Sequence, residues 1–125
     1  MPEGAAETVK LLSKNYALGL VTSRISERLF GSPELENLET CFSALVSYQD
    51  TENHKPHPEP LLLAAAKLQV APAECVYVGD AVTDVTAARA AGMKVVIYGG
   101  AVPGADAYAK DLRELPRLVA ELDGQ

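Results

Sequence analysis

The 125-residue sequence has few positive charges, few cysteines and no long hydrophobic segment. Its 17 acidic side chains outnumber the 11 lysines and arginines, which gives a net charge of −6. An acidic surface repels a phosphate backbone, so nucleic-acid binding is disfavoured. No apolar run approaches the roughly 20 residues that span a bilayer, and the first residues do not form a basic and hydrophobic secretory leader. The sequence therefore predicts no nucleic-acid partner and no membrane partner.

Cysteine occurs only at Cys41 and Cys75. Their spacing fits neither a zinc site nor a redox pair. We interpret both as reduced, partly buried thiols of a cytoplasmic protein. Apolar residues make up 48% of the chain, which suits a single domain spanning residues 1–125 with an ordinary core.

Helix-like and strand-like segments alternate along the chain. Short apolar runs predict strands at residues 16–22, 41–47, 76–80 and 94–100, with a short edge strand near 107–109. The first run is almost continuously apolar, as a strand buried on both faces requires. Amphipathic patterns predict helices at residues 4–15, 24–30, 58–68, 81–92 and from about 115 onward, and Gly92 is predicted to end the fourth of them. Strands separated by helices predict an α/β fold: a parallel sheet in a three-layer α/β/α sandwich.

In such folds ligands bind beyond the carboxyl ends of the strands. Polar residues follow three of the predicted strands, namely Thr22, Ser23 and Arg24 after the first, Lys55 in the loop after the second, and Asp80 and Asp84 after the third.

Asp80 and Asp84 lie in the stretch VYVGDAVTD, residues 76–84, with Asp84 as its last residue. Hard cations such as magnesium prefer carboxylate oxygens, and both acids could face one site. Gly79 lets the backbone turn and leaves room beside them. Alternatively, Asp80 is only a helix N-cap and Asp84 a solvated acid of the first turn.

The remaining polar residues also have two interpretations. Thr22 and Ser23 could hold a phosphate oxygen or simply cap a helix. Lys55 could provide a point charge for a phosphate or a carboxylate, or be solvated. Arg24 is a weaker candidate for a phosphate contact and otherwise a surface residue. The Lys55-Pro56 bond is of the type that can be cis.

His54, His57 and Glu59 surround the same loop and could be imagined as a metal cluster. Their spacing across a proline is not helical and no third strong ligand is apparent, so we interpret the histidines as exposed loop residues. His57 is also a candidate cap for the helix that opens at Pro58.

Four tyrosines lie on or beside the predicted strands, and we interpret them as packing residues: Tyr48, Tyr77, Tyr98 and Tyr108. Gly99-Gly100 after the fourth strand is predicted to form a flexible turn near the rim of the site.

Taken in order, the motifs resemble those of the haloacid dehalogenase (HAD) superfamily of magnesium-dependent phosphohydrolases, particularly its phosphoglycolate phosphatase and pyrophosphatase group. LGLVTSR resembles the second family motif, KPHPEPLLLAAAKL the third and VYVGDAVTDVTAARAAGM the fourth. The resemblance implies a Rossmann-like core and a small phosphorylated metabolite as substrate. It also implies that Thr22 contacts phosphate, that Lys55 positions the phosphate and the nucleophile, and that Asp80 and Asp84 bind Mg²⁺.

The nucleophile motif of that family, D-x-D at the end of its first strand, is not in this sequence. Aspartate occurs at positions 50, 80, 84, 106, 111 and 123, and no two of these are two residues apart. The opening residues MPEGAAETVKLL resemble the point where family members re-enter the core after their helical cap. We therefore expect a core that is truncated at its N-terminus, without the central first strand and the cap domain, and with doubtful Mg²⁺ affinity and little turnover.

Three explanations of this pattern are open. The chain is a piece of a phosphatase, or one half of a split enzyme that a second chain completes, or a non-catalytic α/β module that self-associates. Loss of a central strand would leave apolar strand edges that either close on each other or take up another chain. A receiver-like module is disfavoured, because in receivers the acids precede Lys-Pro along the chain.

Overall fold

The computed structural model describes residues 5–21, 41–47, 50–100 and 102–123. The α-helices in this part of the chain are α1 (Ala5–Ser13), α2 (Glu59–Leu68), α3 (Val82–Ala91) and α4 (Leu115–Asp123), and short 3-10 helices lie at Pro72–Glu74 and Leu112–Glu114. The strands are β1 (Gly19–Val21), β2 (Ala44–Val46), β3 (Val76–Gly79), β4 (Lys94–Tyr98) and β5 (Ala107–Ala109). The helix predicted at residues 24–30 lies outside the described residues.

The strands pair in parallel, as the alternation of helices and strands predicts. β1 pairs with β2, and β3, β4 and β5 form a second sheet in that order. The register places Tyr77 of β3 opposite Val95 of β4, and Gly79 opposite Ile97. All carboxyl ends of the three-stranded sheet therefore point the same way, and β3 delivers the chain to Asp80 at that edge.

β4 is the centre of a three-layer arrangement. Its Val95 and Ile97 belong to a core cluster with residues of α2 and α3, whereas Val96 belongs to a second cluster with the apolar face of α4. Because successive strand residues point to opposite faces, this alternation means that helices cover both faces of β4. The predicted α/β/α layering and the predicted short strand at Ala107–Ala109 are thus confirmed.

β1 differs from the prediction of a strand buried on both faces. Gly19 is exposed, and Leu20 and Val21 are only half-buried. The physical reason is that β1 pairs on one side only among the described strands. The sequence raised the alternative that the strand edges close on each other, but β1 and β3 are not hydrogen-bonded to each other. Val21 nevertheless packs against the same core cluster as Tyr77, so both sheets share one core.

Both cysteines are free and half-buried, as expected from their spacing. Within the described ranges, no helix has the length and apolar character needed to cross a membrane.

Candidate functional site

An ion pair joins two of the residues singled out by the motifs. Lys55, in the loop before α2, places its Nζ atom 2.8 Å from Oδ1 of Asp84 in the first turn of α3. These residues are 29 positions apart in the sequence and meet beside the carboxyl end of β3. The Lys55-Pro56 peptide bond is cis, the geometry for which this bond was a candidate. Lys55 is therefore a carboxylate partner here rather than a solvated loop residue.

Asp84 is held by protein donors on both of its oxygens. Oδ2 accepts hydrogen bonds from the backbone amides of Asp80 and Ala81, at 3.0 and 3.1 Å. The residue is only 3% exposed, so the alternative of a solvated first-turn acid is wrong. Gly79 makes this burial feasible, because a Cβ built on Gly79 would overlap the Asp84 carboxylate. Gly79 thus leaves room as expected, and the group that uses the room is Asp84.

The charges of this pair stabilise each other. Burial by itself would raise the pKa of Asp84, but the Lys55 ammonium and the two amides outweigh it and bring the pKa below its ordinary value. Burial by itself would lower the pKa of Lys55, but its hydrogen bond to Asp84 and its contact with Tyr77 raise that pKa overall. Both residues are consequently charged at neutral pH.

Tyr77 is a third member of this cluster that sequence reasoning assigned to packing alone. Its hydroxyl lies 3.2 Å from Nζ of Lys55 and 3.4 Å from Oδ1 of Asp84. The sequence contained a signal for this contact. Tyr77 precedes Gly79 by two residues, so the Tyr77 side chain and the space that a side chain on Gly79 would fill lie on the same face of β3. Any side chain that fills the space over Gly79 must then lie near Tyr77.

Asp80 has a different environment from Asp84. It is exposed at the carboxyl end of β3, and its carboxylate accepts no hydrogen bond from any residue the structure describes. It does not cap α3, because the N-cap position belongs to Ala81. The backbone of Gly100 lies close to the Asp80 carbonyl, so the Gly99-Gly100 turn forms part of the rim beside it, as the sequence suggested.

The side chains at this edge of the sheet fit a magnesium ion that is bound by a single protein carboxylate, that of Asp80. Mg²⁺ commonly takes one or two protein carboxylates and fills its other positions with water and substrate phosphate. Asp80 has free oxygens for that purpose, whereas both oxygens of Asp84 already accept hydrogen bonds. No group of three or more candidate metal ligands occurs among the residues described. Asp80 therefore fits as a direct ligand, and Asp84 fits as a group that fixes the turn and Lys55 beside it.

Three further residues were predicted to belong to the site from the sequence. Thr22, Ser23 and Arg24 lie outside the described residues, so their predicted phosphate contacts stay predictions.

Hydrogen bonds made by Glu59 and His57 hold the loop that carries Lys55. Glu59 accepts from the Glu52 amide at 2.9 Å and from Asn53 at 2.8 Å. The N-cap position of α2 is Pro58, and Nδ1 of His57, one residue earlier, accepts from the Glu59 amide at 3.1 Å, so His57 caps the first amide of α2 as predicted. These contacts fix the path of the loop that carries Lys55.

The fold and the site define a parallel α/β protein with a lysine–aspartate pair and an exposed acid at the carboxyl edge of its sheet. Residues 2–98 match the family described as haloacid dehalogenase-like hydrolase. The chain belongs to this family, as its motifs predicted.

Known relatives agree with this assignment. The chain is 37% identical to a pyrophosphatase PpaX of Bacillus pumilus over 86% of its own length and 50% of the relative's. It is 43% identical to a phosphoglycolate phosphatase of Escherichia coli K12 over 66% of its own length and 32% of the relative's. The crystal structure of a HAD-superfamily hydrolase, subfamily IA, from Geobacter sulfurreducens superimposes with a TM-score of 0.86 and 33% identity, covering 95% of this chain and 56% of that one. The chain thus spans about half or less of the length of these relatives.

Proposed function

We propose that this chain is the core portion of a magnesium-dependent phosphate-ester hydrolase acting on a small phosphorylated metabolite. The observation that carries the proposal is the Lys55–Asp84 pair next to the exposed carboxylate of Asp80 at one edge of the sheet. Lys55 would give the transferred phosphoryl group a fixed positive charge, with Thr22 as a further phosphate contact and Ser23 and Arg24 as weaker ones. Asp80 would hold Mg²⁺, which supplies charge neutralisation at the phosphate oxygens. The free thiols are compatible with a cytoplasmic location.

A polypeptide of these 125 residues alone is proposed to be inactive. Its sequence contains no aspartate pair of the D-x-D form, and covalent catalysis by that pair is what the family resemblance implies. With magnesium and p-nitrophenyl phosphate, we expect no turnover above the buffer rate. Activity of this chain that Asp80→Ala abolishes would refute this part of the proposal. A longer natural form that includes the D-x-D pair and is also inactive would refute the hydrolase proposal itself.

Magnesium binding can be tested without turnover. Titration of the ¹⁵N-labelled chain with MgCl₂ should shift the amide signals of residues 79–82, and Asp80→Ala should remove the shifts. Asp111→Ala is a matched control, because Asp111 is also an acid near the surface but pairs with Arg113 away from β3. Equal shifts in the wild type and Asp80→Ala would contradict a metal role for Asp80.

The substrate class can be narrowed with the longer form. Pyrophosphate and phosphoglycolate are the first candidates, because the curated relatives carry the names of enzymes for these substrates. Specificity constants (kcat/KM) measured on both, with p-nitrophenyl phosphate as reference, would rank them. A preference for neither would direct the search to other phosphate esters.

A second candidate function is assembly with a further chain. It is favoured by the separation of the described strands into two sheets and by the exposure of apolar Val78 on β3. An unpaired strand edge is a template for pairing with another strand. The added chain would be either a second copy or a polypeptide that completes a split enzyme. A monomer by light scattering at micromolar concentration, with cooperative unfolding, would count against this candidate.

A further inference from the structure

Tyr77 is the one aromatic side chain whose contacts link both members of the ion pair in the described structure. Its hydroxyl accepts a hydrogen bond from Nζ of Lys55 and donates one to Oδ1 of Asp84. The Lys55 ammonium also lies 5.7 Å from the centre of the Tyr77 ring. Three contacts among three side chains define a closed triangle, whereas an ion pair by itself leaves the lysine free to rotate about Asp84.

The position of Tyr77 needs only an apolar ring for packing. The ring packs against the core cluster between β4, α2 and α3, and a phenylalanine would fill the same volume. Burial raises the pKa of Tyr77, so its hydroxyl keeps its proton at neutral pH and can donate to Asp84. Packing of the ring therefore does not explain the hydroxyl, whose contacts are the hydrogen bonds to Lys55 and Asp84.

The consequence falls on the ammonium group of Lys55. An ammonium has three N–H donors. Two of them are taken by Asp84 and Tyr77, and no other residue within 5–21, 41–47, 50–100 and 102–123 accepts the third. The Lys55 side chain is 28% exposed, so an acceptor from solution can reach it.

We propose that Tyr77 is a positioning residue of this site, which holds the Lys55 ammonium on Asp84 so that one N–H remains directed to an incoming oxyanion. The holding of Lys55 is independent of the hydrolase proposal. That this positioning of Lys55 strengthens the binding of a phosphate group rests on the hydrolase proposal.

Hydrogen exchange of the Lys55 ammonium tests the holding directly. In ¹H–¹⁵N correlation spectra tuned to lysine side chains, Lys55→Arg assigns the signal by removing it. The ammonium protons of Tyr77→Phe should exchange with water about tenfold faster than those of the wild type, because a hydrogen bond to a charged group is lost. Tyr108→Phe is the matched control, since the Tyr108 hydroxyl is also hydrogen-bonded but contacts Val102 and Ala105 instead. Unchanged exchange in a folded Tyr77→Phe protein would overturn the proposal.

A second measurement does not depend on a variant. In the wild type, nuclear Overhauser effects should connect the ε-methylene protons of Lys55 with the ring protons of Tyr77, and their absence would also overturn the proposal. Inorganic phosphate with MgCl₂ then serves as the probe of function and should bind several-fold more weakly to Tyr77→Phe. Failure of phosphate to bind either protein would count against the hydrolase and not against the positioning of Lys55, which the exchange rates decide.

Discussion

Asp80 and Asp84 are four residues apart, but different contacts surround their carboxylates. Asp84→Ala removes the acceptor of the Lys55 ammonium and of two backbone amides, so we expect a loss of about 2–3 kcal/mol in the free energy of unfolding. Asp80→Ala removes an exposed side chain and should change it by no more than about 0.5 kcal/mol. Urea unfolding of both variants measures the difference. Equal losses would contradict the proposed division of roles, in which Asp84 stabilises the fold and Asp80 is left for a ligand.

Asp106 should make stability depend on acid pH. Burial would raise its pKa, but the Val95 amide at 2.8 Å and Arg89 at 3.0 Å outweigh it and lower the pKa. A lowered folded-state pKa means that the charged form adds stability above the ordinary value of about 3.9, and that this stability is lost as the pH falls through the lower folded value. Asp106→Asn should therefore cost about 0.5–1 kcal/mol at pH 7 and almost nothing at an acid pH below the lowered folded-state pKa. Unfolding at both pH values measures this, and an equal cost at both would show that charge is not the cause.

The sequence predicted part of the candidate site at this scale. Lys55, Asp80 and Asp84 follow strand ends in an order that indicates chemistry, and the structure brings them to one edge. Which acid is buried could not be read from the sequence, since that depends on the gap over Gly79 and on a lysine 29 positions away. Tyr77 was assigned to packing because its hydroxyl partners come from two other elements.

Two helices end in the same left-handed conformation but with different residues. Gly92 ends α3 with φ +80°, as its predicted role as a stop requires, and Gln69 ends α2 with φ +60°. Gly92→Ala should cost about 1 kcal/mol, because a Cβ disfavours this conformation. Its surroundings are open, so no clash contributes. Gln69→Gly should gain up to about 0.5 kcal/mol. Thermal unfolding compares the two, and a loss in both would show that the side chain of Gln69 stabilises its turn.

At the scale of elements, short apolar runs located all five described strands, Pro58 located the start of α2 and Gly92 located the end of α3. Burial of β1 was not predictable in the same way. An apolar run shows that a strand can be buried, but pairing on both sides decides whether it is. β4 has partners on both sides and helices on both faces, and Val95, Val96 and Ile97 are fully buried. Among the described strands β1 has one partner, β2, and its residues remain partly exposed.

Because the described strands form two separate sheets, we expect the two sheets to unfold with different free energies. A two-stranded sheet is marginal by itself, and the β1–β2 pair is linked to the rest through the shared core rather than through backbone hydrogen bonds to β3. The protein is therefore expected to expose β1 and β2 in partial openings that leave β4 closed.

Native-state amide hydrogen exchange tests this expectation. Amides of Val96 and Ile97 should exchange only through global unfolding, with rates that rise steeply with low concentrations of urea. Amides of Leu20 and Leu45 should exchange at least about tenfold faster and depend less on urea, because partial opening exposes little surface. Equal rates and equal urea dependence in β1 and β4 would contradict the prediction, because they would mean that the two sheets open as one unit. A binding partner that pairs with β1 should slow its exchange toward that of β4, since a second neighbour protects the backbone groups of β1 with which no described strand pairs.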